Sequence, residues 1–434
     1  FGMAMIIKNA VVNGIIKDIL LEKCLIAKID NNISGSNFYD AKGDALIPGL
    51  HDHHIHLNST AVAINSVNCG PPDISNEIEL IEKLNYPGHG WLRGIGYHHS
   101  VAGEIDRCWL DKNGPKRPIK IQHRSGRLWI LNSAALKLIG NNKTPDGRLF
   151  DDDNSVRYGS EFPDLKPLMN TLYSYGITGV TEVTPSNGVK EYLNYIDKVK
   201  LLKIDIMGRS DLTFSESKYL KIHYHEPDLP SLERITQEIK SAHQHGKNIA
   251  AHCVTRSELM LVLAALEEAG PVEGDRIEHA AITDDFLINW IKKLNLIVVT
   301  QPNFMAERVE SYIKDVDDFE QENLWRLKSF INSGVRLAAG SDSPFGNSNP
   351  WFAMESAVNR PRGFENEALS PEEALSLYLK PPYNAGGASR EIKEGATADL
   401  CLLNMPWSDA RMNLNNIKPR ATWIGGELVF NGVN

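Results

Sequence analysis

Four histidines fall within six residues in the run His51-Asp52-His53-His54-Ile55-His56, which follows an apolar approach, Leu46-Ile47, and a Pro48-Gly49 step. Side chains alternate along a strand, so Asp52, His54 and His56 share one face while His51 and His53 point the other way. Two imidazoles two residues apart on one face can ligate a single ion, and imidazole suits zinc, iron or nickel. A purification tag or a solvated histidine cluster is the competing explanation. The position of the run, some 50 residues into the chain and continuous with a strand-like segment, speaks against both.

Such a site needs elements to position it. Residues 46–57 read as a first strand, and seven more short apolar runs follow at 176–183, 202–207, 220–224, 249–254, 276–280, 296–300 and 335–342. Helical spacing separates most of them, as in Leu232, Ile235, Ile239 and Ala242 or Leu259, Leu263 and Leu266. Only the interval 208–219 is too short for a good helix. Eight strands alternating with helices predict an α/β fold, a (β/α)8 TIM barrel. Both ends of the chain carry short strands, with Asn13-Gly14 as a tight-turn signal. They are expected to pair into a small composite β-sandwich domain (1–47 plus 393–434) beside a barrel domain (48–392). Residues 66–165, rich in Gly, Pro and Trp, are expected to be an insertion after the first barrel strand that covers the barrel mouth. Barrel enzymes place their chemistry at the C-terminal ends of the strands. Those ends carry His54 and His56, Lys221, His252, His279 and Asp342.

Composition narrows the function classes. A net charge of −9 weighs against nucleic acid or an anionic membrane as partner. The five cysteines are scattered without a Cys-x-x-Cys pair, so no disulfide framework or zinc knuckle is expected and a reducing cytoplasm is the default. No apolar run reaches about 18 residues, the length of a membrane span, and no signal peptide is evident. Phe1-Gly2 ahead of Met3 reads as a cloning remnant.

The order His-x-His, Lys, His, His, Asp along eight strands resembles the amidohydrolase superfamily of metal-dependent hydrolases. More narrowly, the chain resembles the amidohydrolase 3 family, which includes N-substituted formamide deformylase-like proteins. The matching stretches are Pro48-Gly49-Leu50-x-Asp52-x-His54-x-His56, Trp91-x-Arg93-Gly94-x-Gly96, Asn132-Ser133-Ala134-Ala135-Leu136 and Gly176-Ile177-Thr178. Others are Arg276-Ile277-Glu278-His279-Ala280, Gln301-Pro302, Gly340-Ser341-Asp342-Ser343-Pro344 and Ala398-Asp399-Leu400. The resemblance implies that His54, His56 and Asp342 hold the more buried of two divalent metals, zinc being the first expectation. It assigns the second metal to His252 and His279. Lys221, carboxylated by carbon dioxide, would bridge the two. A carbamate offers two anionic oxygens where a plain ammonium would be repelled. Hydroxide held by the metals would attack the substrate, with Asp342 as the catalytic proton carrier. The implied reaction is hydrolysis of a carbon–nitrogen bond other than a peptide bond, in an N-acyl or N-formyl amine or a cyclic amide.

The chain departs from the family at two places. Where an Asp-Gly usually follows the strand-four lysine, it has Ile222-His223-Tyr224-His225-Glu226. His223, on the face of Lys221, is then an extra polar contact in the site. Where Asp-Gly-His is frequent before Asn132-Ser133, it has Ser125-Gly126-Arg127, and Arg127 would favour an anionic substrate group. Trp91, Arg93, His98, His99 and His123 are further candidates for the mouth. Alternatives stay open. Lys221 could be a barrel lysine paired with a carboxylate, and Glu182 could bridge instead, while Cys253 reads as core. A mononuclear deaminase would bind one metal with His54, His56, His252 and Asp342, with His279 on the hydroxide or substrate. It would need a Glu just after the fifth strand, whereas Glu258 lies six residues past His252 at an expected helix start. Esterase or lactonase activity is a third enzymatic reading. A small-molecule binding protein on a decayed barrel is the non-enzymatic one, against which stands the full set of ligand positions. A homodimer is the default assembly.

Overall fold

The computed structural model describes residues 4–432 apart from 72, 86, 89, 126, 142, 151–155, 157–161 and 227. The terminal Phe1-Gly2 therefore lies outside the described residues. Eight parallel strands carry the ligand candidates: β1 (Leu50–Ile55), β2 (Ile177–Glu182), β3 (Lys203–Ile206), β4 (Tyr219–Ile222), β5 (Asn248–Cys253), β6 (Arg276–His279), β7 (Ile297–Thr300) and β8 (Arg336–Ala339). Ladders join β1 to β2 and β2 to β3, and then β4 through β8 in order. Parallel bridges Gly208–Leu220 and Ile55–Ser343 connect the two sets, so the strands close into a ring. Helices fill most of the crossovers as their spacing predicts. Leu232–Gln244 buries Ile235, Thr236, Ile239 and Ala242 and is capped by Ser231, whose side chain accepts from the Arg234 N–H. The interval between β3 and β4 holds no helix, as its length required.

The expected first strand, 46–57, is two strands. Leu46–Pro48 pairs antiparallel with Leu400–Leu402, and β1 begins only at Leu50. The ladder changes partner at Gly49, whose N–H donates to Asp399 O while the next N–H, of Leu50, donates to Gly176 O, both at 2.8 Å. A Cβ at Gly49 would stand 2.2 Å from Thr178 Cγ2, so only glycine lets the chain cross here. All six residues of β1 are buried. Burial pushes His51 and His53 well below the usual imidazole range, which makes them neutral core residues, and His51 Nε2 lies 2.9 Å from Thr181 Oγ1.

The chain ends form two four-stranded sheets. The first comprises Met5–Val12, Ile15–Glu22, Leu25–Asp30 and Phe38–Asp40, and the second Leu46–Pro48, Leu400–Leu402, Ala421–Ile424 and Glu427–Asn431. Val12 pairs with Ile15 across Asn13 (φ 50°) and Gly14 (φ 80°), the two left-handed residues that a tight hairpin demands. Ile7, Ile19, Ile26, Leu400, Leu402 and Trp423 draw one apolar cluster from both sheets.

Residues Ala61–Asp164 form a compact unit of their own, the remainder of the chain forming the other. The smaller unit is a five-stranded sheet, in the order Arg148–Phe150, Leu128–Leu131, Ile119–His123, Leu92–Tyr97, Val67–Asn68. Leu80, Leu92, Ile119 and Ile121 lie in its core. Within it Asn132 is a structural cap: its Oδ1 accepts from the Ala135 N–H at the start of Ser133–Leu138 and its Nδ2 donates to Arg117 O. None of the described helices is long and apolar enough to cross a membrane.

Candidate metal centre

The end of β1 is tied to the segment after β8. Asp52 Oδ1 accepts from the N–H groups of His54 and Ser341, each at 3.0 Å, and the Asp342 N–H donates to His54 O at 2.7 Å. Burial raises the Asp52 carboxyl to about 6 against the pull of these hydrogen bonds. Asp342 (φ 53°), His279 (φ 73°) and Ala280 (φ 51°) all occupy left-handed backbone, a costly conformation for side-chain-bearing residues that clusters at functional sites. These turns bring His54, His279 and Asp342 together, with one ligand atom from each within 4.8 Å of the others. Asp342 Oδ1 stands 3.2 Å from His54 Nε2 and 3.2 Å from His56 Nε2. Although burial opposes its charge, the two imidazoles hold the Asp342 carboxyl well below the usual carboxylate range.

Each imidazole of this group is oriented through its other nitrogen. His54 Nδ1 donates to Glu278 Oε2 at 2.5 Å, and His279 Nδ1 donates to Gln301 Oε1 at 2.7 Å. His56 Nδ1 lies 2.8 Å from Thr184 Oγ1. Such partners leave Nε2 to face an ion and fix the ring plane. Glu278 is also paired with Arg276 through both guanidinium contacts, and Arg276 Nη2 reaches on to His53 O at 2.8 Å. Sequence reasoning missed Glu278, Thr184 and Gln301 as positioning residues. The Arg276-x-Glu278 spacing on β6 and the Gln301-Pro302 match were the signals that could have found two of them.

Lys221 is buried at the end of β4. Burial lowers its amine from the usual lysine range, with Glu278 opposing and Arg276 adding to the effect. His252 falls in a second group, with His223 and His225, whose ligand atoms also lie within 4.8 Å of one another. The His252 and His279 ring centroids are 4.7 Å apart, so the two groups adjoin. Burial lowers His223 to about 3 and His279 to about 4 and drives His252 further down, so all three rings are neutral at pH 7. Cys253 is fully buried, and its thiol is pushed well up.

Two carboxylates considered from sequence have other work. Glu182 accepts from the Leu57 N–H (2.5 Å), the Thr184 N–H (2.8 Å) and Asn187 Nδ2 (3.0 Å), which anchors the loops after β1 and β2. Glu258 is the N3 residue of a capping box with Thr255 at the start of helix Arg256–Ala269. Its Oε2 accepts from the N–H groups of Val254 and Thr255. It therefore does not project as a free acid, although Oε2 is 3.8 Å from His252 Nε2. Trp91, Arg93 and Arg127 belong to the smaller unit. The Arg93 guanidinium lies 5.4 Å from the Trp129 ring centre, Lys120 Nζ lies 5.0 Å from that of Trp91, and Arg127 is exposed. His98, His99 and His123 form a third histidine group in the same unit.

A closed ring of eight parallel strands thus gathers histidines and an aspartate at the strand ends, where barrel enzymes place their sites. The family model described as the amidohydrolase family matches residues 37–430. N-substituted formamide deformylase of Arthrobacter pascens is 24% identical, with 90% of this chain and 89% of that protein covered. Putative amidohydrolase YtcJ of Bacillus subtilis is 28% identical, with 89% of each chain covered. The crystal structure of an uncharacterized metal-dependent hydrolase from Pyrococcus furiosus shares the fold, with a TM-score of 0.72 at 19% identity over 92% of this chain and 98% of that one. The chain belongs to the amidohydrolase family and is an enzyme that hydrolyses carbon–nitrogen bonds.

Proposed function

We propose that the protein is a zinc-dependent hydrolase of small N-acyl or N-formyl amines or cyclic amides, with His54, His56, His279 and Asp342 as the principal ion-holding group. One observation carries this reading. The buried His54 Nε2 and the His56 Nε2 converge on Asp342 Oδ1, each at 3.2 Å, beside His279. Such a convergence of imidazole nitrogens on one carboxylate oxygen suits a shared cation. Three imidazoles and one carboxylate are also a donor set that zinc accepts. When bound, such an ion supplies Lewis acidity toward a carbonyl oxygen and acidifies water. The remaining chemistry falls to the chain. Asp342, held ionised, takes a proton from the attacking water and returns it to the leaving nitrogen. Glu278, Thr184 and Gln301 keep the imidazole rings aimed. Lys221, whose amine burial shifts toward the neutral and nucleophilic form, is the residue that takes up carbon dioxide as a carbamate. The relationship to a formamide deformylase supports an N-formyl substrate. The same reading takes 1–47 with 393–434 as a composite β-sandwich domain and 48–392 as the barrel domain with its insertion.

The test is metal content and hydrolysis of a panel of N-formyl and N-acetyl amines by the zinc-loaded protein and its Asp342→Asn variant. Turnover by the native chain that the variant loses, with zinc still bound, is expected. A chain that binds no zinc, or a variant as active as the native protein, overturns the proposal.

A further inference from the structure

We propose that the smaller unit carries a transition-metal site of its own, in which His98, His99 and His123 ligate one ion while Ser100 and Ser125 hold two of the rings in place. The strand register builds it. Leu92–Tyr97 and Ile119–His123 run parallel, and Tyr97 pairs with His123. The two strands therefore end side by side, and the Arg124 N–H donates to Tyr97 O at 2.8 Å and holds them there. Each strand end runs into the same pattern, His98-His99-Ser100 and His123-Arg124-Ser125, a histidine two residues ahead of a serine. The His98 and His123 ring centroids are 5.7 Å apart, and the His99 ring is 3.9 Å from that of His98. Each of the three offers a nitrogen within 4.8 Å of the others. Nitrogens sharing one tetrahedral zinc stand about 3.3 Å apart, a difference that rotation of the exposed His99 ring and small movements of the other two cover.

A second observation points to a built site rather than to a chance cluster. His98 Nδ1 lies 2.8 Å from Ser100 Oγ, and His123 Nδ1 lies 2.9 Å from Ser125 Oγ. The serine N–H groups approach the same Nδ1 atoms, at 3.3 and 3.1 Å. Both rings are thus gripped through Nδ1 in the same manner, which fixes their planes and leaves Nε2 as the remaining ligand atom. A hydroxyl accepts as readily as it donates. With an ion bound, Nδ1–H donates to the serine Oγ and the Nε2 lone pair serves the metal, as is usual for metal-binding histidines. His99, His123 and Ser125 also border a cavity of about 260 Å³, together with the ion pair of Glu104 and Arg148. Three imidazoles select zinc, cobalt, nickel or copper over magnesium or calcium, and the cavity leaves room for water or a small ligand in the fourth position. All five site residues belong to the smaller unit, so this site stands or falls separately from the barrel group around His54 and Asp342.

The experiment uses the full chain, stripped with a chelator and reloaded with cobalt(II) alone. It reads metal equivalents by elemental analysis and affinity by competition against a chromophoric chelator. The His98→Gln/His123→Gln variant is expected to hold one equivalent fewer than the native chain. A His54→Phe/Asp342→Asn variant, with the barrel group disabled, is expected to keep that equivalent. His99→Ala, a change at an exposed residue that leaves folding intact, and Ser100→Ala/Ser125→Ala are each expected to weaken it by about tenfold or more. Equal equivalents in the native and His98→Gln/His123→Gln chains overturn the proposal. So does an affinity that the two serine changes leave unaltered, the mark of a loose surface chelate. Both outcomes leave the barrel group and the hydrolase reading standing, whereas no cobalt bound to the native chain overturns both.

Discussion

Glu278→Gln is the substitution on which the positioning argument depends most. The carboxylate is fully buried, accepts from His54 Nδ1 and pairs with Arg276, itself 2% exposed. Although burial works against its charge, Arg276 and Lys221 hold Glu278 well below the usual carboxylate range. The amide keeps an acceptor for His54 but leaves the Arg276 cation uncompensated in the core, which is predicted to cost about 3–5 kcal/mol. With a urea m-value near 3 kcal/mol/M, that is a midpoint shift of roughly 1 M or more. Weakening the acceptor on a metal-binding imidazole is predicted to lower zinc affinity about 10–100-fold, or about 1.4–2.8 kcal/mol. The two losses separate in Arg276→Met/Glu278→Leu. With both charges gone, the part of the loss due to the uncompensated cation is recovered, the remaining deficit being the lost bond to His53 O and the unpaired, buried His54 Nδ1, while zinc affinity stays low. Urea unfolding of the chelated proteins and competition against a chromophoric chelator measure the two quantities. An unfolding midpoint for Glu278→Gln equal to native would refute the buried-pair argument, and an unchanged zinc affinity would refute the positioning role.

Gly340→Ala places a Cβ 2.3 Å from His54 N and 2.6 Å from His54 Cβ. It should cost about 1–3 kcal/mol and weaken zinc binding together, and a thermal melt with unaltered zinc affinity would contradict it. In the chelated protein His279 is lowered from 6.5 to about 4. The unfolded chain therefore binds the extra proton between those values, and stability falls as pH drops from 6.5 toward 4, by up to about 3 kcal/mol from this residue. Asp52, raised from 3.8 to about 6, acts in the opposite sense. A His279→Asn variant should show a shallower pH slope in urea melts, and an identical slope would refute the assignment. Finally, Cys24 and Cys108 are exposed while Cys69, Cys253 and Cys401 are buried, with the Cys69 thiol pushed up to about 12. A maleimide should label the first pair in the native protein and all five only after unfolding; rapid native labelling of Cys69 would show that the core of the smaller unit is open.

Much of the site is legible in the amino-acid sequence because its signals are local. Alternation along one strand makes His54-x-His56 a ligand pair, the two-residue Asn13-Gly14 step specifies a hairpin, and the short interval 208–219 excludes a helix. The ligand candidates likewise stand out as polar residues toward the ends of five of the eight apolar runs. Tertiary structure alone decided which of them meet. His279 joins His54 and Asp342, and His252 joins His223 and His225, because the grouping depends on register between neighbouring strands and on left-handed turns at His279 and Asp342. The break of the first strand at Gly49 was equally hidden, since it is set by a ladder changing partners from Leu400–Leu402 to Ile177–Glu182. The partners of the imidazole Nδ1 atoms, Glu278, Thr184 and Gln301, come from segments 128 to 224 residues away from His54 and His56 or across β7 from His279. Such contacts are sums over many weak packing terms that no short stretch of sequence contains, whereas the identity of the atoms able to hold an ion is written residue by residue.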